Sequence, residues 1–148
     1  MRSLFFSILL CVTVAQGADN SPAMNRRIEA LAIGETTLAY RLIALSASLS
    51  IAAATDNDAV ISLLENVDST LTNGKAFLTA QETKGIFTKE LASLMEQILS
   101  CSANVKEYTK NKSYDNLQKI RGCIDPLEGK ISDITERFNK AAPAAPTK

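Results

Sequence analysis

Apolar side chains recur at alternating three- and four-residue steps along most of this chain, and four stripes can be traced. The first runs through Met24, Ile28, Leu31, Leu38, Leu42, Leu45 and Leu49, with Glu35 interrupting it and Gly34 beside the gap. Such steps place side chains on one face of an α-helix. Ser21 and Pro22 suit its start, because serine can cap a first turn and proline lacks only an N–H that would be unpaired there. The second stripe follows Asp56, Asn57 and Asp58, a cluster that favours caps and turns. It joins Val60, Leu64, Val67, Leu71 and Leu78. Gly74 shares that face; it either ends the helix after Asn73 or lets a neighbour approach closely, and the second is favoured.

The third stripe is a heptad without a miss: Phe87, Leu91, Leu94, Ile98, Cys101, Val105 and Tyr108. It turns Cys101 inward. The polar run 109–113 should turn the chain. The fourth stripe joins Leu117, Ile120, Ile124, Leu127, Ile131, Ile134 and Phe138, with Pro126 inside it. A mid-helix proline removes a hydrogen bond and crowds the preceding turn. The apolar phase continues across it, so a kink or short break between nearly collinear pieces is expected.

The stripes predict helices over roughly 25–50, 56–81, 85–109 and 114–140, each about 38–40 Å long. Matched lengths and short connections predict an all-α, up-down four-helix bundle whose apolar stripes are its seams. Cys101 and Cys123 each lie eleven residues from Lys112, the middle of the third turn. In an antiparallel hairpin they would face each other, so one disulfide is expected.

The amino-terminal pattern differs. Arg2 precedes an apolar run over 4–15, and Ala15-Gln16-Gly17 offers small residues at a cleavage site. This reads as a signal peptide over 1–17, shorter than the roughly 20 apolar residues that span a bilayer. It would remove Cys11 and leave an even cysteine pair in an oxidising compartment. The expected mature protein is secreted, with a helical domain over 18–140 and a disordered tail over 141–148 (AAPAAPTK).

Composition narrows the chemistry. The chain has sixteen basic and sixteen acidic residues and no histidine. Cleavage would remove Arg2 and leave a net charge of about −1, which argues against nucleic acid as a partner. Without histidine there is no Ser-His or Cys-His pair and no histidine metal site. Phosphate-binding glycine loops and the G-x-S-x-G elbow are absent. Asp56-Asn57-Asp58 echoes a calcium loop, but Val67 occupies the position where a terminal Glu is needed. No enzymatic activity, cofactor or metal is expected.

The strongest anomaly is 42–54 (LIALSASLSIAAA), thirteen residues without a charge. One explanation is a central helix packed on several sides; another is a side facing a lipid, an apolar ligand or a partner chain. Lys106, Lys110, Lys112, Lys119 and Arg121 form a local basic excess at the third turn, most simply a solvated face. Asn111-Lys112-Ser113 is an N-glycosylation sequon in the same turn. In length and helical pattern the chain resembles plant invertase and pectin methylesterase inhibitors, which carry an N-terminal cysteine pair that it lacks. The run ISLLENVDSTLTNGKAFLT is similar in texture to fungal hydrophobic-surface-binding proteins. Neither resemblance rests on a specific motif, and neither is adopted.

These features predict a secreted non-enzymatic binding protein. It would carry a lipid or another apolar ligand between amphipathic helices, held by Leu42, Ile43, Leu45, Ala47, Leu49 and Ile51. The alternative is a secreted protein–protein interaction module, an effector or inhibitor presenting a helix face to a target. An integral membrane protein is not expected.

Overall fold

The computed structural model describes residues 22–53, 55–80 and 85–141. The expected signal peptide and its cleavage site, Ser21, and all of the expected tail but Ala141 lie outside them. The described residues form four α-helices and no strand: α1 Pro22–Ile51, α2 Asn57–Ala80, α3 Thr88–Lys110 and α4 Tyr114–Lys140. All four expected helices are present, and boundaries differ by at most three residues.

α2 begins where Asp56 accepts the backbone N–H of Asp58 on its carboxylate, 3.1 Å away, and that of Val60 on its carbonyl, 3.2 Å away. The Asp-Asn-Asp cluster is therefore helix-start chemistry. α2 continues through Gly74. A Cβ built there would lie 2.9 Å from Glu35 Oε2 of α1, so the glycine admits a close neighbour. α4 starts on Ser113, whose hydroxyl accepts the Asn116 N–H at 3.2 Å. It runs unbroken across Pro126. Pro126 and Gly122, whose carbonyl loses its intrahelical partner, are both exposed, so water can satisfy that oxygen.

α1 and α3 form the central pair. Each touches the other three helices, whereas α2 and α4 flank the pair without meeting. The second, third and fourth stripes face inward as expected. Val60, Leu64, Val67, Leu71 and Leu78 of α2 and all seven third-stripe residues are buried; Ile120, Leu127, Ile131 and Ile134 join them from α4. Cys101 and Cys123 are at disulfide distance, with sulfurs 2.00 Å and Cα atoms 5.6 Å apart.

The first stripe faces inward only in part: Ile28 and Leu42 are half-buried and pack against the core, but three of its leucines turn toward solvent. Leu31, Leu38 and Leu45 are each about half exposed, at 51%, 54% and 51%. The buried face of α1 carries Asn25, Glu29, Ala32, Ile33, Thr36, Ala39, Ile43, Ser46, Ala47 and Ser50. This is a second set of three- and four-residue steps, built mostly from small side chains. Small residues let α1 lie close against α3, where leucines would hold it off. The expectation that the leucine stripe is a bundle seam is thereby overturned.

Polar contacts fix the ends of the central pair. At one end the Glu29 carboxylate, 4% exposed, accepts the Phe87 N–H at 2.6 Å and lies 3.5 Å from the Thr88 hydroxyl. A Cβ on Gly85 would collide with it. Arg26 donates to the carbonyls of Phe138 (2.7 Å) and Ala141 (3.2 Å) and stacks 4.1 Å above the Phe138 ring. At the other end the hydroxyls of Ser50 and Thr109 meet at 3.0 Å.

Candidate functional site

The six residues expected to hold a ligand are divided by the turn of α1. Ile43 and Ala47 point inward, 1% and 2% exposed, and belong to the core. Leu45 and Ile51 point outward. Leu42 and Leu49 are half-buried on the shoulder between them, Leu42 packed against the core. The structure therefore gathers Leu42, Leu45 and Leu49 into one surface patch and removes Ile43 and Ala47 from it.

Leu31 and Leu38 extend that patch. Leu31, Leu38 and Leu45 are seven residues apart, so they stand nearly above one another. Between them on the exposed surface lie Arg27, Gly34, Arg41 and Ser48. Gly34 leaves open space, with no atom within 4 Å of a Cβ built there. The result is a narrow apolar seam, one leucine wide, with a groove at the glycine. The heptad that reveals Leu31 and Leu38 is present in the sequence, but the same spacing describes a buried seam.

Two charges border the seam. Glu35 sits on the α2 side, its carboxylate against Gly74 and half-buried. Burial raises its pKa above the ordinary carboxylate value. Arg41 is exposed. Neither forms an ion pair among the described residues. On the α4 side, burial and the carboxylates of Glu128 and Asp125 raise the Tyr40 hydroxyl above its usual range.

A groove of about 570 Å³ lies between α1 and α4, lined by Ile33, Tyr40, Arg41, Glu128, Ile131 and Glu136 among others. A smaller one of about 210 Å³ lies between α3 and α4, lined by Glu90, Gln97, Lys130 and Asp133 among others. Both grooves are open to solvent and have mixed walls of apolar, polar and charged side chains. At the third turn Lys106 pairs with Asp68 of α2 at 2.6 Å and Lys119 donates to Asn116 at 3.1 Å, while Lys110, Lys112 and Arg121 are exposed. Asn111 is exposed between α3 and α4, and its carbonyl accepts from the Ser113 N–H and Asn116 Nδ2.

Among the described residues no group of three or more His, Cys, Asp or Glu is placed to hold a metal ion. No described helix is long and apolar enough to cross a membrane. No family model, no curated protein and no solved structure matches the chain.

Proposed function

We propose that this chain is a secreted, non-enzymatic protein–protein interaction module that presents the outward face of α1 to an amphipathic helix of its partner. One observation carries the reading: Leu31, Leu38 and Leu45 stand half in water on a helix whose opposite face is already packed. Their seven-residue spacing matches the repeat at which one helix receives the knobs of another. The seam is too narrow for a bilayer, which favours a broad apolar face rimmed by cations.

Secretion rests on the pattern of residues 1–17 and on a cysteine pair at bonding distance. Asn111 is the glycan acceptor in this reading. An up-down order of the helices is supported by the contacts of the ends, since the start of α1 meets the start of α3 and the end of α4. The lack of histidine and of phosphate-loop motifs supports the absence of catalysis.

The test is fluorescence anisotropy of a labelled, designed peptide helix with leucines on a heptad seam. Wild type should bind it, and Leu31→Glu with Leu45→Glu should weaken binding at least about tenfold, since both charges would be desolvated. Unchanged binding in the variant overturns the reading. Flotation with phosphatidylcholine vesicles without peptide binding would overturn it in favour of lipid.

A further inference from the structure

We infer that the Cys101–Cys123 disulfide is a redox latch on the first half of α4: a dithiol reductant that opens it frees residues 114–125, while α1, α2, α3 and the rest of α4 stay folded. This goes beyond the reading of α1 as an interaction face and does not rest on it.

The hold on α4 is uneven along its length. α4 packs against α1 and α3 and does not meet α2. Its second half sinks Leu127, Ile131 and Ile134 into the core. That half also places the Phe138 carbonyl under Arg26 of α1 and pairs Arg137 with Glu90 of α3. Of residues 114–125, all of them described, only Asn116 and Ile120 are buried. Leu117, Cys123 and Ile124 are half-buried.

The point of parting is already weak. Pro126 has no N–H to give the Gly122 carbonyl, and both residues are exposed. No atom lies within 4 Å of a Cβ built on Gly122, so packing does not call for a glycine there, and its effect is to weaken the helix. When the chain parts here, Asp125 and Pro126 are the residue types of an N-cap and a first helical position, so 126–140 keeps a sound start. Cys123 lies in this weak stretch and is tied to Cys101, which is wholly buried in α3. The bond supplies the tie that side-chain burial does not, and it closes the loop over 101–123.

Opening the latch is a two-electron exchange. Cys101 is closed off and Cys123 is half-buried, so a thiolate of the reductant attacks Cys123 Sγ. The S–S bond breaks, a mixed disulfide forms, and Cys101 leaves as a thiolate that takes up a proton. The second thiol of the reductant then displaces Cys123, which takes up the other proton. The protein gains two thiols and the reductant departs as a disulfide.

Hydrogen exchange of the full secreted chain, with and without dithiothreitol, tests this. Reduction should speed exchange of the amides over 117–125 at least about tenfold, and leave those of α2 and of 127–140 within about threefold. Cys123→Ser should match reduced wild type without any reductant. Gly122→Ala with Pro126→Ala changes two exposed positions. Oxidised, this chain should exchange as wild type does; reduced, it should keep 117–125 protected. Unchanged exchange over 117–125 on reduction or in Cys123→Ser overturns the proposal. So does loss of protection in all four helices together, or a Gly122→Ala, Pro126→Ala chain that opens on reduction as readily as wild type.

Discussion

Truncating two residues of α1 tests which way the helix is turned. Ile43 and Leu38 lie about 140° apart around the helix axis, at 100° per residue. Ile43 is 1% exposed and Leu38 is 54% exposed. Ile43→Ala removes three carbons from a closed site between helices and leaves a cavity; such changes cost about 2–5 kcal/mol, and about 3 kcal/mol is expected here. Leu38→Ala removes three carbons of which half already lie in water. Full burial of a leucine contributes about 1.5–3 kcal/mol, so half burial contributes about 1 kcal/mol. Alanine's slightly better helix propensity returns about 0.2 kcal/mol. The expected gap between the variants is therefore about 2 kcal/mol, about 1 M in urea midpoint. Urea unfolding followed by far-ultraviolet circular dichroism measures it. Equal losses, or a larger loss for Leu38→Ala, would refute the placement of α1. The leucine stripe would then be a bundle seam, and the interaction face would not exist.

Three further outcomes follow from individual contacts. Gly34→Ala should stabilise the fold by about 0.5–1 kcal/mol, read as a rise in melting temperature, because the site is helical, exposed and open. Glu29→Ala should cost about 2 kcal/mol, since it leaves the Phe87 N–H buried without that acceptor, whereas Glu29→Gln, which keeps an acceptor oxygen, should cost less than half as much in the same urea assay. Glu35 has a folded pKa raised by burial, so its charged form is disfavoured in the fold. It stabilises the monomer below the ordinary carboxylate pKa and loses that contribution as pH rises through the raised value; Glu35→Gln should therefore gain stability relative to wild type near neutral pH, with no gain in strong acid, as measured by thermal melts across pH.

Three of the four helices were legible because each carries one apolar stripe. In α2 the residues between Val60, Leu64, Val67 and Leu71 are mostly polar, so only one face can be buried. In α3 the heptad from Phe87 to Tyr108 also placed Cys101, and equal spacing from Lys112 placed Cys123 opposite it. α1 carries two competing stripes. Its leucines have the stronger pattern, but Ala32, Thr36, Ala39, Ile43, Ala47 and Ser50 form a smoother surface, and a close approach to α3 depends on smoothness rather than on hydrophobicity alone. Periodicity weighs side chains by their apolar character and does not measure how near two backbones can come. That is why Ile43 and Ala47 were expected at the ligand face and lie in the core. The roles of Glu29 and Arg26 were invisible for another reason. Their partners lie 58 and 112 residues away, and no local spacing joins them.

The inward face of α1 carries an energetic burden that its outward face could have avoided. Ser46 and Ser102 are wholly buried, and their hydroxyls find no hydrogen-bond partner among the described residues. Each such group costs on the order of 1–3 kcal/mol. Turning α1 so that Leu31, Leu38 and Leu45 met α3 would bury more hydrocarbon and bring Ser46 to solvent. It would also force the central helices apart, detach Glu29 from the start of α3 and withdraw Ser50 from Thr109. The observed orientation therefore trades hydrophobic burial for close packing and for polar contacts at both ends of α1. Those contacts are directional and leave α1 little freedom to roll. A helix held this firmly by its weakly apolar face keeps its leucines in a fixed array, so a partner would meet a preformed surface and association would require little reordering of the chain.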